Sequence, residues 1–157
     1  MIEVFVPYSK AALDVPALEE TLNAWTLPGM EPIALEVGGK KMALHARVGA
    51  ENISSVHYMI VDIGYGPLEE NFAAQAEEEL RHHQDAGLFG FWRTGQTANE
   101  LPNSVVLCRR GVIQKWPEPR GESSYVREHI LAYQLAGYKT FLCSTIHYHH
   151  LNVSLPC

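Results

Sequence analysis

The feature that most constrains the fold is the segment 54–63, which is apolar on both faces when read as a strand. Such a strand must lie inside a sheet that is covered on both sides, because either face would otherwise expose apolar side chains. Asp62 and Gly64 end the pattern. The segment therefore predicts a central strand, with one face carrying Val56, Tyr58 and Ile60 and the other carrying His57, Met59, Val61 and Ile63.

The rest of the chain alternates between strand and helix patterns. Strand patterns with a spacing of two predict a first strand over 2–7, hairpins over 32–47 and 104–116, and a last strand over 139–148. Helical spacing and end signals predict helices over 15–25, 67–85 and 123–136. The segment 87–103 is rich in glycine and aromatic residues and indicates a packed loop with a short strand at 88–92.

These elements predict an α+β fold in a single domain spanning 1–157. We expect a mixed, mainly antiparallel sheet of roughly six to seven strands, with about three helices packed mainly on one face. Hydrophobic residues make up 46% of the chain, which is enough to build one core without disulfides. The turn residues Arg109 and Arg110 of the second hairpin are expected to be solvated.

Charge and targeting signals limit the functions and locations that are expected for this chain. The 18 acidic residues against 12 basic residues give a formal net charge of −6, the opposite of a nucleic-acid-binding footprint, so no nucleic-acid partner is expected. The start of the chain has no basic region followed by an apolar core, and no apolar stretch approaches the ~20 residues that span a bilayer. Cys108, Cys143 and Cys157 lack the spacing of a zinc site. These features predict a cytoplasmic protein without membrane partners, and they leave its oligomeric state open.

The last strand pattern carries the most informative polar residues, Thr145, His147 and His149. Strict alternation predicts that they share one face with Phe141 and Cys143. Two imidazoles two residues apart on a strand can bind one divalent metal, or can serve as base and electrophile. We therefore expect a histidine-centred site in which His147 and His149 are metal ligands or an acid–base pair, oriented by the Thr145 hydroxyl.

A zinc or manganese site needs a further ligand. The sequence offers His57 on the central strand, Asp62 at its end, and His83 one helical turn after Glu79. Two of these candidates have a plainer interpretation, since His57 fits a core histidine and His83 with Glu79 fits an ordinary helix pair. Helix residue His129, next to Glu128, is another option. The hypothesis taken forward adds His57 as a catalytic group and His83 with Glu79 as metal ligands.

Two functions are compatible with these observations. The first is a small soluble enzyme, most simply a hydrolase acting on a phosphoester or another small polar substrate with a divalent zinc or manganese ion. The second is a non-catalytic acidic module of the inhibitor or immunity type, whose negative surface docks a basic protein partner. A bound metal would favour the first, and salt-sensitive capture of a basic partner would favour the second.

Overall fold

The computed structural model describes residues 1–36, 56–97, 104–113 and 125–151. These ranges form seven β-strands, three α-helices and one short 3₁₀ turn at Lys10–Ala12. The strands are β1 (Ile2–Tyr8), β2 (Met30–Glu36), β3 (His57–Val61), β4 (Tyr65–Pro67), β5 (Ala86–Arg93), β6 (Val105–Arg109) and β7 (Lys139–His150). The helices are α1 (Val15–Ala24), α2 (Phe72–His82) and α3 (Tyr125–Leu135).

All seven strands belong to one sheet, in the order β2-β1-β3-β6-β5-β7-β4. The β2/β1, β1/β3 and β5/β7 pairs are parallel, and the β3/β6, β5/β6 and β4/β7 pairs are antiparallel. The predicted α+β fold with a mixed sheet is therefore confirmed. As expected from its two apolar faces, β3 is central, between β1 and β6.

The first strand, α1 and β2 form a parallel β-α-β unit. The Asp14 side chain accepts a hydrogen bond from the Ala17 N–H at 3.1 Å, and Pro16 lies in the first helical turn. Both features stabilise a helix start, because the cap satisfies an open N–H and proline has none to satisfy. Gly29, with φ of 82°, then turns the chain into β2, which returns beside β1.

The sheet is covered on both faces. We call the face covered by α1 and α2 the front face, and the face covered by α3 the back face. Along β3, Met59 and Val61 pack at the front, whereas Tyr58 and Ile60 pack at the back. All four side chains are fully buried. Alternate side chains of one strand thus join two cores.

The structure extends the predicted strands in two places. The glycine- and aromatic-rich segment contains a full strand, β5, and Leu88, Phe89 and Phe91 are fully buried. Gly87 suits this strand because a Cβ there would lie 2.8 Å from the Tyr138 side chain and 3.0 Å from that of Tyr133. A short strand, β4, was not predicted at all; it forms the edge of the sheet by pairing with the end of β7.

The predicted second hairpin also pairs differently. Its first strand, β6, lies between β3 and β5 and forms hydrogen bonds with both. Arg110 is not solvated: its side chain is only 3% exposed and forms an ion pair with Glu3. The return strands of both predicted hairpins, around Met42 and Trp116, fall outside the described residues. None of the helices in the described ranges combines the length and apolar character needed to cross a bilayer.

Candidate functional site

The strands β1, β3, β5 and β7 run in the same direction, so their carboxyl ends meet at one edge of the sheet. We call this the carboxyl edge and the opposite one the amino edge. Two parallel neighbours flank β1, with β2 on one side and β3 on the other. This is a topological switch point, and ligands of open α/β sheets bind at the carboxyl ends of the strands there.

Asp62 occupies this position. It directly follows β3 and is half-buried, and its N–H donates to the Ser104 carbonyl at 2.9 Å. Ile60 pairs with Phe5 in the parallel β1/β3 ladder, so Asp62 is level with Pro7 near the end of β1. The fold therefore places a carboxylate at the switch point.

A tight turn, Asp62–Tyr65, joins β3 to β4. Gly64 adopts a φ of 98°, a conformation that side chains with a Cβ rarely take. Its N–H donates to the Thr21 hydroxyl at 3.0 Å, and its carbonyl accepts from the Leu151 N–H at 2.7 Å. The Tyr65 carbonyl accepts from the Trp25 indole at 2.9 Å. The turn is thus tied to α1 and to the end of β7.

Tyr148 lies beneath the same edge. The side chain is 1% exposed, and its hydroxyl is hydrogen-bonded to the Ser104 side chain. Burial raises the pKa of Tyr148 well above its ordinary value; nearby Arg93 opposes this shift, whereas nearby Tyr65 and Asp62 add to it. The phenol is therefore uncharged. Tyr148 thus contacts Ser104, the residue whose carbonyl accepts from the Asp62 N–H.

The predicted shared face of the last strand is wrong. The β5/β7 ladder pairs Phe91 with Cys143 but Trp92 with His147, so the register shifts between these pairs. Such an irregularity moves every following side chain relative to the faces of the sheet. Cys143, Ile146 and Tyr148 consequently pack at the front, which places the intervening His147 at the back.

His147 and His149 therefore lie at the back face, near the carboxyl edge. The His147 ring donates from Nε2 to the Ser144 carbonyl at 3.0 Å, a bond within its own strand. His149 is half-buried and pairs with Gly66 of β4. Thr145 is exposed, in the stretch where the register shifts. The irregularity thus separates the two histidines from the face on which a site was expected.

His83 and Glu79 form the pair that their spacing predicts, with Nε2 and Oε2 3.4 Å apart. The imidazole also stacks on Phe141, with ring centroids 3.6 Å apart. Since Phe141 packs with the front core, this pair lies on the opposite face of the sheet from His147 and His149. The four predicted metal ligands therefore do not converge.

His57 lies at the amino edge, where β3 begins, paired with Arg109 of β6. Burial lowers the pKa of His57 to about 4, and the nearby Arg109 guanidinium adds to this effect. It is thus at the opposite end of the sheet from His147. Among the residues that the structure describes, no three His, Cys, Asp or Glu side chains could hold a metal ion together. The predicted histidine cluster is not formed there.

The two cysteines in the described ranges are core residues. Cys108 and Cys143 are both buried and unpaired. Burial raises the pKa of the Cys143 thiol to about 12, with a further contribution from nearby Glu79. The Cys108 thiol likewise has a strongly raised pKa, again because it is buried. Neither thiol is activated as a nucleophile, as their apolar strand positions predicted.

Solved glycosyltransferase structures share this fold. A mannosyltransferase from Pyrobaculum calidifontis, in complex with GDP-Man and Mn²⁺, has a TM-score of 0.65 at 12% identity over 99% of this chain and 58% of its own. Glucosyl-3-phosphoglycerate synthase from Mycobacterium tuberculosis, in complex with Mn²⁺, UDP and phosphoglyceric acid, has a TM-score of 0.60 at 11% identity over 97% and 71%. A glycosyltransferase involved in glycosylation of the major capsid of PBCV-1 has a TM-score of 0.59 at 10% identity over 98% and 93%.

No family profile and no curated protein matches the sequence. The structural comparison overturns both predicted functions, because these three similar structures are of glycosyltransferases rather than phosphoester hydrolases or inhibitor modules. It also overturns the predicted partners. Two of these structures contain a nucleotide or a sugar nucleotide, UDP with phosphoglyceric acid in one and GDP-Man in the other, rather than a basic protein partner. The Mn²⁺ in two of these structures is consistent with the expectation of a divalent metal.

Sequence reasoning placed Asp62 among several possible third ligands and did not recognise that it lies at a switch point of the sheet. The available signal was an acidic residue directly after a doubly apolar strand, followed two residues later by glycine. What could not be read from the sequence was that β2 and β3 lie on opposite sides of β1. That arrangement makes the end of β3 a switch point.

Proposed function

We propose that this chain binds a nucleoside diphosphate sugar at the carboxyl edge of its sheet and acts in glycosyl transfer. The observation that carries the proposal is the carboxylate of Asp62 at the switch point between β1 and β3. Two glycosyltransferases that share the fold are in complex with a nucleotide or nucleotide sugar and Mn²⁺, which supports this ligand class.

The negative charges of the ligand and of the chain favour a cation at such a site. A nucleoside diphosphate is an anion, and the chain itself has a formal net charge of −6, so their long-range interaction is repulsive. A divalent cation between Asp62 and the diphosphate would convert this repulsion into attraction. When bound, it would also neutralise the negative charge that develops on the departing diphosphate.

The donor set fits manganese or magnesium better than zinc. Structural and catalytic zinc sites use several nitrogen or sulfur ligands, and no such set converges among the described side chains. Magnesium-like ions, by contrast, are commonly held by one or two carboxylates together with substrate phosphates. Asp62 would thus supply the protein oxygen, and the diphosphate would supply further ones.

Arg93 adds a positive group to the same edge. It is the last residue of β5, is exposed, and lies close enough to Tyr148 to affect the phenol electrostatically. A guanidinium can bind a phosphate through two parallel hydrogen bonds. In the proposed transfer, the bond from the anomeric carbon to the diphosphate oxygen breaks and a bond to an acceptor hydroxyl oxygen forms. The nucleoside diphosphate and the hydroxyl proton are released.

Calorimetric titration of the full chain with UDP, GDP, UDP-glucose and GDP-mannose, with MnCl₂ or with EDTA, tests the proposal. We expect Mn²⁺ to raise the affinity for at least one nucleotide by about tenfold or more. Asp62→Asn should remove this gain, because the amide keeps the shape of the side chain but loses its charge. Release of free nucleotide from the sugar conjugate should fall in parallel.

Asp85→Asn is the matched control. It makes the same chemical change at the amino edge, where the Asp85 carboxylate pairs with Lys139 at 2.9 Å on the surface. This variant should keep the full Mn²⁺-dependent gain. The proposal is wrong when none of the four nucleotides binds in the presence of Mn²⁺, or when Asp62→Asn and wild type show the same gain.

A further inference from the structure

We infer that Thr21 and Trp25 are positioning residues that hold the Asp62–Tyr65 turn in its ligand-binding geometry before a nucleotide arrives. The inference rests on the proposed function, because it assigns the turn a ligand. It goes beyond that function by giving a role to α1 and the residue that follows it, which supply no group to the ligand. Two hydrogen bonds between buried side chains and the turn backbone support it.

Thr21 forms the first of these bonds. Its side chain is fully buried, and its hydroxyl donates to the Ala17 carbonyl at 2.7 Å. A hydroxyl has one proton and two acceptor lone pairs, so this bond leaves the oxygen able to accept from Gly64, whose N–H lies 3.0 Å away. The helix therefore fixes the direction of the oxygen, and the oxygen fixes the middle of the turn.

Trp25 forms the second bond. It follows α1 as the C-cap residue and is fully buried, with its ring packed edge-on against Phe72 at a centroid distance of 5.1 Å. Its indole N–H donates to the Tyr65 carbonyl at 2.9 Å. A large ring locked in a core has little freedom, so the Tyr65 end of the turn is held as firmly as its middle.

The remaining side of the turn is tied to other elements. The Asp62 N–H donates to the Ser104 carbonyl just before β6, and Leu151 donates to the Gly64 carbonyl just after β7. Backbone groups of three turn residues are thus bound to separate parts of the fold. A site held in place in this way loses little conformational freedom when a ligand binds, and affinity rises accordingly.

Thr21→Val tests the inference, because it keeps the branched shape and removes the hydroxyl. We expect the Mn²⁺-dependent gain in nucleotide affinity to fall about three- to tenfold, with little change in affinity measured in EDTA. Trp25→Phe removes the indole donor and should act in the same direction. Thr21→Ser retains the hydroxyl and should restore the wild-type gain.

Thr26→Val is the control. The Thr26 hydroxyl also donates to the carbonyl four residues earlier, that of Leu22 at 2.8 Å, but this threonine is exposed. The variant should leave the metal-dependent gain unchanged. Hydrogen exchange at the Gly64 amide supplies a readout without any ligand: exchange should accelerate in Thr21→Val and stay at the wild-type rate in Thr26→Val.

The outcomes separate the two hypotheses. Absence of nucleotide binding by wild type overturns the proposed function, and the positioning role with it. A wild-type gain that Thr21→Val and Trp25→Phe both retain in full overturns the positioning role alone. A loss of affinity that is equal with Mn²⁺ and with EDTA also overturns it, because general destabilisation would weaken both measurements to the same extent.

Discussion

The two edges of the sheet use polar groups in different ways. At the amino edge, charges bind the chain to itself: Glu3 pairs with Arg110 at 2.9 Å, and the two side chains are 13% and 3% exposed. The Arg110 guanidinium also lies over the Tyr58 ring, 5.0 Å from its centroid. At the carboxyl edge, neutral hydrogen bonds fix the turn that carries Asp62: the Thr21 hydroxyl accepts from Gly64, and the Trp25 indole donates to Tyr65.

This difference indicates that the amino edge mainly stabilises the fold, whereas the carboxyl edge is available for ligand binding. A buried ion pair that loses one partner leaves a charge without compensation, so the amino edge is where single substitutions should unfold the protein. The Asp62 side chain is only half-buried, so a chemical change at its carboxylate should cost less stability than a change at Arg110. We therefore expect amino-edge variants to alter stability and Asp62 variants to alter nucleotide affinity. Three predictions test the amino-edge half of this comparison.

Arg110→Met should have the largest effect. It keeps the approximate length of the side chain but removes the guanidinium that pairs with the Glu3 carboxylate, and we expect the free energy of unfolding to fall by about 3–5 kcal/mol. Urea unfolding measures this directly. The double variant Glu3→Leu with Arg110→Met removes both charges and should recover much of the loss.

The same variant also tests whether the amino edge affects stability without affecting nucleotide binding. The folded fraction of Arg110→Met should bind nucleotide with the wild-type Mn²⁺-dependent gain, since the substitution lies at the opposite end of the sheet from Asp62. A loss of that gain in protein that is still folded would show that the two edges are coupled, and the comparison would then be incorrect.

Tyr133→Phe should have an intermediate effect. The Tyr133 hydroxyl donates to the Arg109 carbonyl at 2.6 Å and lies 3.3 Å from the Tyr58 hydroxyl, so it fastens α3 to the back face. Its removal leaves a partly buried carbonyl with one bond fewer, and we expect the free energy of unfolding in urea to fall by about 1–3 kcal/mol. A stability equal to that of wild type would mean that this bond does not hold the helix.

Many elements of the fold could be predicted from the sequence because they depend on local residue patterns. The two apolar faces of β3 predicted its central position, and Asp14 with Pro16 marked the start of α1. Strand β5 was underestimated because glycines resemble a loop in a sequence window. In the sheet, the same glycines lie in a buried strand between β6 and β7.

The candidate site was harder to predict from the sequence because it depends on contacts between residues far apart in the chain. Alternation alone placed His147 with Cys143, and a single register shift against β5 reversed that assignment. Thr21 and Trp25 are both buried, and their hydrogen bonds with the turn exist only because the fold brings Gly64 and Tyr65 next to α1. No periodicity encodes a hydrogen bond between residues 43 and 40 positions apart.

The pH dependence of stability should show the smallest effect, and it comes from His57 at the amino edge. The folded pKa of His57 is about 4, below its ordinary value of 6.5, because of burial and nearby Arg109. Between these values the unfolded chain binds a proton that the folded chain does not, so the free energy of unfolding falls as pH is lowered from 6.5 towards 4. Partial exposure screens this effect, and we expect about 1 kcal/mol to be lost between pH 7 and pH 5.

Urea unfolding of wild type and His57→Gln at both pH values isolates this contribution, since the carboxylates titrate similarly in the two proteins. The variant should lose about 1 kcal/mol less than wild type on acidification. Thr26→Val, at an exposed residue that does not titrate, should keep the wild-type dependence. Equal pH dependence in wild type and His57→Gln would mean that the amino edge does not hold this imidazole neutral. Because His57 lies far along β3 from Asp62, the Mn²⁺-dependent gain at pH 7 should be the same in all three proteins.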